Sequence, residues 1–158
     1  MASMNSQLKN LGVVIAVFTI VGIGIGLTGY IGLSDMFSGM QTGGETGLGF
    51  AQLFAALFGF MSMFIAFLLG PVVAAISGLL AGVAFRERGA GALVGGAGSF
   101  IGFYVMVIVA VLVIAMAFPS TGETGTGLGS QMGTILKAGI PSGIVGALSG
   151  AIGVDFGG

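Results

Sequence analysis

Four long apolar runs dominate the pattern of hydrophobic and polar positions along the chain. They extend over residues 11–33, 50–85 and 90–118, and from about 135 or 138 to 154. Short polar segments separate or flank them. Because roughly 20 apolar residues in a helix cross the hydrocarbon core of a bilayer, the pattern predicts an all-α membrane protein, a four-helix transmembrane bundle.

The second run is longer than one crossing requires. As a single helix it would be about 54 Å long, against a hydrocarbon core of about 30 Å. We expect residues 63–85 to form the span, with Pro71 bending the helix near Phe67. Residues 50–62 would then project from the bilayer or lie at its surface. A strongly tilted single helix is the alternative.

Composition supports a membrane location. The chain is 56% hydrophobic and 6% charged, whereas soluble domains carry about 25% charged residues. Residues 1–158 are expected to form a single transmembrane domain. The chain has no Cys and no His, which excludes disulfides, thiolate nucleophiles and imidazole proton transfer. Four basic residues are too few for a nucleic-acid-binding surface.

The basic residues predict the orientation of the spans. Lys9 precedes the first run, and Arg86 and Arg88 separate the second from the third. Positively charged residues flanking transmembrane helices favour the cytoplasmic side. We therefore interpret these three residues as topology anchors and expect both chain termini in the cytoplasm.

The two halves of the chain resemble each other. Segments 44–49 and 122–129 share a Gly-Glu-Thr-Gly pattern that ends in Leu-Gly, and each half continues with a proline and then a Ser-Gly motif. The similarity predicts two helical hairpins in tandem, residues 8–85 and 90–158, joined by a cytoplasmic turn at 86–89.

Glycine is unusually abundant, with 33 residues, and recurs at spacings of three and four within the runs. Small residues at such spacings allow helix backbones to approach closely in lipid. We expect the second, third and fourth spans to pack most tightly near the cytoplasm, where their small residues lie. The glycines expected at helix contacts are Gly22, Gly26, Gly29, Gly70, Gly91, Gly95, Gly98, Gly102, Gly139, Gly143, Gly146, Gly150 and Gly153.

A stripe of aromatic residues precedes the second span. Phe50, Phe54 and Phe58 lie four residues apart and share a helix face. Their rings would either fill the glycine notches of the first span or face lipid or a neighbouring subunit. Helical periodicity alone does not choose between these partners.

Three charged residues are candidates for a binding site. Glu45 and Glu123 occupy matching loop positions, where they would bind a cation together or, as we favour, lie in two solvated turns. Lys137 would form a substrate or ion-pair site if it entered the membrane. We favour a position at the outer boundary, where its ammonium group reaches water.

The middle of every run lacks Asp, Glu, Lys, Arg and His. Proton-coupled carriers and rotary proteolipids need an ionisable group there, so the chain fits neither class. We expect no enzymatic activity and no cofactor. The first hypothesis is a structural or assembly protein, either an accessory subunit of a membrane complex or a lattice component. The second is a channel or carrier for a neutral or apolar solute.

The expected partners are the lipid bilayer and other membrane subunits or copies of the same chain. The expected location is the cell membrane of a prokaryote or a viral envelope. The acidic, Gly/Thr-rich loops and the low lysine content are compatible with a halophilic archaeon or its virus.

Overall fold

The computed structural model describes residues 4–40, 45–116 and 128–157. The described residues form the helices α1 (Met4–Met40), α2 (Glu45–Gly82), α3 (Arg88–Ala115) and α4 (Leu128–Phe156). Each helix contains a stretch that is long and apolar enough to cross a bilayer. The prediction of an all-α, multi-pass membrane protein with four spans is confirmed to this extent.

The second apolar run forms one continuous helix. Its 38 residues include Pro71 and correspond to a length of about 57 Å. The part of the helix that qualifies as a membrane span is Phe64–Gly82. Residues 50–62 continue α2 towards Glu45 and do not form a separate surface helix.

The four helices are arranged so that α3 has α1 on one side and α4 on the other. The α2 helix packs mainly on α4 and contacts α1 and α3 less, and α1 does not contact α4 in the described part of the chain. Val14 of α1 lies against Gly98, and Phe18 lies against Gly102, one turn further along both helices. The α1 and α3 helices therefore run parallel.

The α2 and α4 helices also run parallel. Gly78 lies against Gly146, and one turn later Gly82 lies against Gly150. Corresponding helices of the two sequence halves are thus direct neighbours. Within the first half, α1 and α2 contact each other less than either contacts its counterpart in the second half.

The interior of the bundle combines a few large apolar side chains with many small residues. Phe18, Phe103, Met106, Val14 and Val94 are almost fully buried. Large apolar side chains on the other helix faces are exposed on all four helices. Such a surface is suited to lipid, in which helices associate through close packing and interhelical hydrogen bonds.

Two glycines of α1 provide a matched test of the packing on α3. A Cβ atom at Gly22 would lie 2.6 Å from the carbonyl oxygen of Met106, whereas one at Gly24 would meet nothing within 4 Å. We expect Gly22→Ala to lower the thermal unfolding temperature in detergent. Gly24→Ala should leave it unchanged or raise it, because alanine favours the helix by about 1 kcal/mol. Equal losses for both variants would contradict the contact.

Candidate functional site: glycine contacts and the charged end of the bundle

Three helices approach each other most closely around two glycines of α4. A Cβ atom at Gly91 of α3 would lie 2.5 Å from the carbonyl oxygen of Gly150, and one at Gly82 of α2 would lie closer still. One turn earlier in α4, Gly146 is approached in the same way by Gly95 of α3 and Gly78 of α2. The glycine seam, as we name it, consists of Gly78, Gly82, Gly91, Gly95, Gly146 and Gly150. Because α3 meets the two α4 glycines in reverse order, α3 and α4 run antiparallel.

The glycine stripe of α3 contacts two neighbouring helices, α4 and α1. Gly91 and Gly95 face α4, whereas Gly98 and Gly102 face α1. A Cβ atom at Gly102 would lie 2.6 Å from the ring of Phe18. The first half of the stripe thus takes part in the packing expected of spans two, three and four, whereas its second half packs on α1. The stripe changes partner because α3 lies between α1 and α4.

The notches on α1 are filled by α3. A Cβ atom at Gly26 would lie 2.7 Å from Cβ of Val113, and Gly22 faces the backbone of Met106. Gly29 is also buried. The alternative that the phenylalanine stripe of α2 fills the notches therefore fails at Gly22 and Gly26. The side chains of that stripe lie outside the described part of the structure.

Two of the expected packing glycines receive aromatic rings of α3. A Cβ atom at Gly70 would lie 2.7 Å from the ring of Phe103, and one at Gly139 would lie 2.7 Å from the hydroxyl of Tyr104. The two rings contact each other edge to face, with centroids 6.0 Å apart. Gly153 instead approaches the backbone of α2 directly. Glycine thus accommodates both rings and backbone in this bundle.

Buried serines face glycines of the neighbouring helices. Ser99 lies against Gly146, Ser142 lies against Gly70, and Ser149 donates a hydrogen bond of 3.3 Å to a backbone carbonyl of α2. The hydroxyl oxygens of Ser99 and Ser142 have no hydrogen-bond partner among the described residues. We did not expect these serines from the sequence, although they follow the same small-residue spacing as the glycines.

An ion pair joins two helices at the end of the bundle that carries the α2–α3 turn. The guanidinium group of Arg88 donates to both carboxylate oxygens of Asp155, with Nη2 2.9 Å from each and Nε 3.1 Å from Oδ1. Both side chains are at least half exposed. The sequence predicts only a topology role for Arg88 and no role for Asp155. The pairing follows from the antiparallel packing of α3 and α4, which places the start of α3 beside the end of α4.

Of the three charged site candidates, Lys137 alone has its side chain among the described residues. The Lys137 side chain is exposed, at the start of the α4 span. The side chain of Glu45 and the whole of Glu123 lie outside the described part, so their proposed pairing stays a prediction. Within that part no cluster of three or more His, Cys, Asp or Glu side chains is placed to hold a metal ion.

The α1 helix carries a second stripe on the side opposite α3. The exposed α1 stripe consists of Gly12, Ala16, Ile20, Gly24, Thr28 and Gly32, which are four residues apart. A Cβ atom at Gly12 or Gly24 would meet nothing within 4 Å. The Thr28 hydroxyl donates to the carbonyl of Gly24 at 2.9 Å, so its hydrogen-bonding capacity is used within the helix. The glycines of α1 that the sequence predicts at helix contacts, Gly22, Gly26 and Gly29, do not belong to this stripe.

No protein-family model matches the chain, and no curated protein or solved structure matches it. Its helix surfaces and charged end are therefore the features from which a function can be inferred.

Two α4 glycines allow a test of the seam. A Cβ atom at Gly146 would lie 2.5 Å from the carbonyl oxygen of Gly95 and closer to the hydroxyl of Ser99, whereas one at Gly143 would lie 3.3 Å from the side chain of Phe100. Overpacking typically costs about 1–3 kcal/mol. We expect Gly146→Ala to lower the free energy of unfolding in detergent by that amount and Gly143→Ala to lower it less. The reverse order would contradict the described seam.

The ion pair can be tested by exchanging its charges. We expect Arg88→Ala to cost at most about 1 kcal/mol, because exposed ion pairs contribute little. The double variant Arg88→Asp, Asp155→Arg should match or exceed the wild type in thermal stability. The aspartate would then lie at the partially positive start of α3 and the arginine at the partially negative end of α4, and both placements are favourable. Lower stability of the double variant than of Arg88→Ala would show that the pair is not formed.

Proposed function

We propose that the protein is a structural or assembly component of a membrane. It acts through its helix surfaces, either as an accessory subunit of a larger membrane complex or as a lattice component of a membrane or envelope. The exposed α1 stripe is the observation that carries this proposal. Glycine in a helix is less favourable than alanine by about 1 kcal/mol, and contact with lipid alone does not require it.

The two faces of α1 support this interpretation. On the inner face, notches at Gly22 and Gly26 receive α3, whereas on the opposite face Gly12 and Gly24 have open space around them. Small residues spaced by four favour close association of membrane helices at a crossing angle near −40°. The exposed face is therefore suited to a helix from outside this bundle, which belongs either to a second copy of the chain or to another membrane subunit.

We also propose that both termini lie in the cytoplasm and that the whole chain forms one domain of two tandem hairpins with glycine-rich interfaces. Ser6 and Gln7 of α1 line the same cavity as Arg86, so the start of α1 and the α2–α3 turn share one end of the bundle. Lys9, Arg86 and Arg88 are then together on one side, as the positive-inside rule requires of cytoplasmic anchors. The direct backbone contacts of the glycine seam support the glycine-rich interfaces.

A channel or carrier for a neutral solute is the second candidate. The buried hydroxyls of Ser99 and Ser142 favour it, because a hydrogen-bonding solute inside the bundle would provide the partner they lack among the described residues. The glycine seam argues against it, since backbone contact there leaves no passage between α2, α3 and α4. We propose no enzymatic role and no cofactor.

A substitution on the exposed α1 stripe tests the first proposal. We expect the wild type, purified in mild detergent, to form an oligomer or a stoichiometric complex with a membrane partner. Gly24→Leu should shift the mass measured by light scattering to that of the single chain, because its side chain fills the notch. Val72→Leu, at an exposed apolar position of α2, is the matched control and should leave the mass unchanged.

Flux measurements separate the two candidates. If the wild-type protein is monomeric and carries out saturable solute flux in proteoliposomes, the structural role is overturned. A defined complex without flux would argue against the carrier.

A further inference from the structure

A cavity of about 600 Å³ opens at the end of the bundle that carries the α2–α3 turn. Its walls include Ser6 and Gln7 of α1, and Arg86 and Glu87 of the turn. Phe85, which is buried, contributes apolar surface. The volume lies within the range of roughly 300–1,000 Å³ that is typical of small-ligand sites, and four of the seven lining residues are polar or charged.

The position of the cavity places it at the membrane surface. The apolar part of α2 ends at Gly82, and the span of α3 begins at Arg88. The cavity therefore lies where hydrocarbon gives way to phospholipid headgroups. A lipid bound at this level of the bilayer would place its polar headgroup at the polar side chains of the cavity and its acyl chains along the exposed helix faces.

The cavity carries one positive and one negative side chain that no other described residue pairs with. Arg88, two residues from Arg86, is bound to Asp155, but neither Arg86 nor Glu87 has an ion pair or side-chain hydrogen bond within the described residues. Arg86 thus provides guanidinium donors for a phosphate. The carboxylate of Glu87 provides acceptors for a hydrogen-bond donor that carries positive charge.

We propose that this cavity binds the headgroup of an aminophospholipid of the phosphatidylethanolamine type. Its phosphate would pair with Arg86, and its primary ammonium group would donate hydrogen bonds to Glu87. A headgroup that carries a phosphate but no ammonium group would be repelled by the carboxylate of Glu87, with no positive charge of its own to offset the repulsion. The quaternary ammonium group of phosphatidylcholine has no N–H to donate. The charges of the cavity therefore select a zwitterion that is also a hydrogen-bond donor.

Native mass spectrometry of the full chain in mild detergent tests the proposal. Phosphatidylethanolamine, phosphatidylcholine and phosphatidylglycerol with identical acyl chains are titrated separately. We expect one phosphatidylethanolamine to bind about tenfold more tightly than the other two, a difference that one charge-assisted hydrogen bond accounts for. Inorganic phosphate in large excess should not displace it, because it lacks both the ammonium group and the acyl chains.

Four variants test whether the interaction belongs to the cavity. Arg86→Gln should weaken all three lipids about tenfold. Glu87→Gln should abolish the preference for phosphatidylethanolamine over phosphatidylcholine. Lys9→Gln removes a positive charge outside the residues that line the cavity and should leave the affinities for the three lipids unchanged. Circular dichroism checks that each variant is folded, and Arg86→Lys, which keeps the charge, should retain most of the binding.

Several outcomes would overturn the proposal. They are equal affinity for the three lipids, displacement by inorganic phosphate, and an equal loss of binding in Lys9→Gln and Arg86→Gln. None of these measurements depends on whether the chain forms an oligomer, so the lipid site and the assembly role can fail separately.

Discussion

Direct contact between helix backbones is the interaction on which this bundle depends. In lipid, apolar side chains gain little by leaving their surroundings, so helices associate through close packing. The carbonyls of Gly146 and Gly150 are approached by glycines of both α2 and α3. A single α4 face therefore organises three helices, and a Cβ atom at these points would separate them.

The remaining packing is built around that seam. The α3 helix turns its glycines first towards α4 and then towards α1, where the ring of Phe18 lies against Gly102. Serine hydroxyls occupy further notches, and Ser149 adds a hydrogen bond to the backbone of α2. The α1 helix packs mainly on α3 and less on α2, whereas the exposed α1 stripe on the side opposite α3 is open to another helix. The proposed assembly role follows from this asymmetry.

Charge is concentrated where the bundle meets water. The pair Arg88–Asp155 connects the start of α3 to the end of α4, while Arg86 and Glu87 face the cavity next to α1. Two arginines that lie two residues apart thus have different surroundings, since Arg88 pairs with α4 and Arg86 lies at the cavity proposed to bind a lipid headgroup. The proposed assembly role and the proposed lipid site use different surfaces of the same bundle.

The apolar runs by themselves determined that the chain is helical and has four spans, because the length of a span is set by bilayer thickness. The glycine spacing likewise identified residues such as Gly150 and Gly22 as suited to close contact. Only the tertiary structure decided which neighbour each glycine meets, since spacing defines a helix face and not the partner of that face. It also brought Asp155 to Arg88 and distinguished the two faces of α1, because those relations depend on how helices distant in sequence are placed side by side.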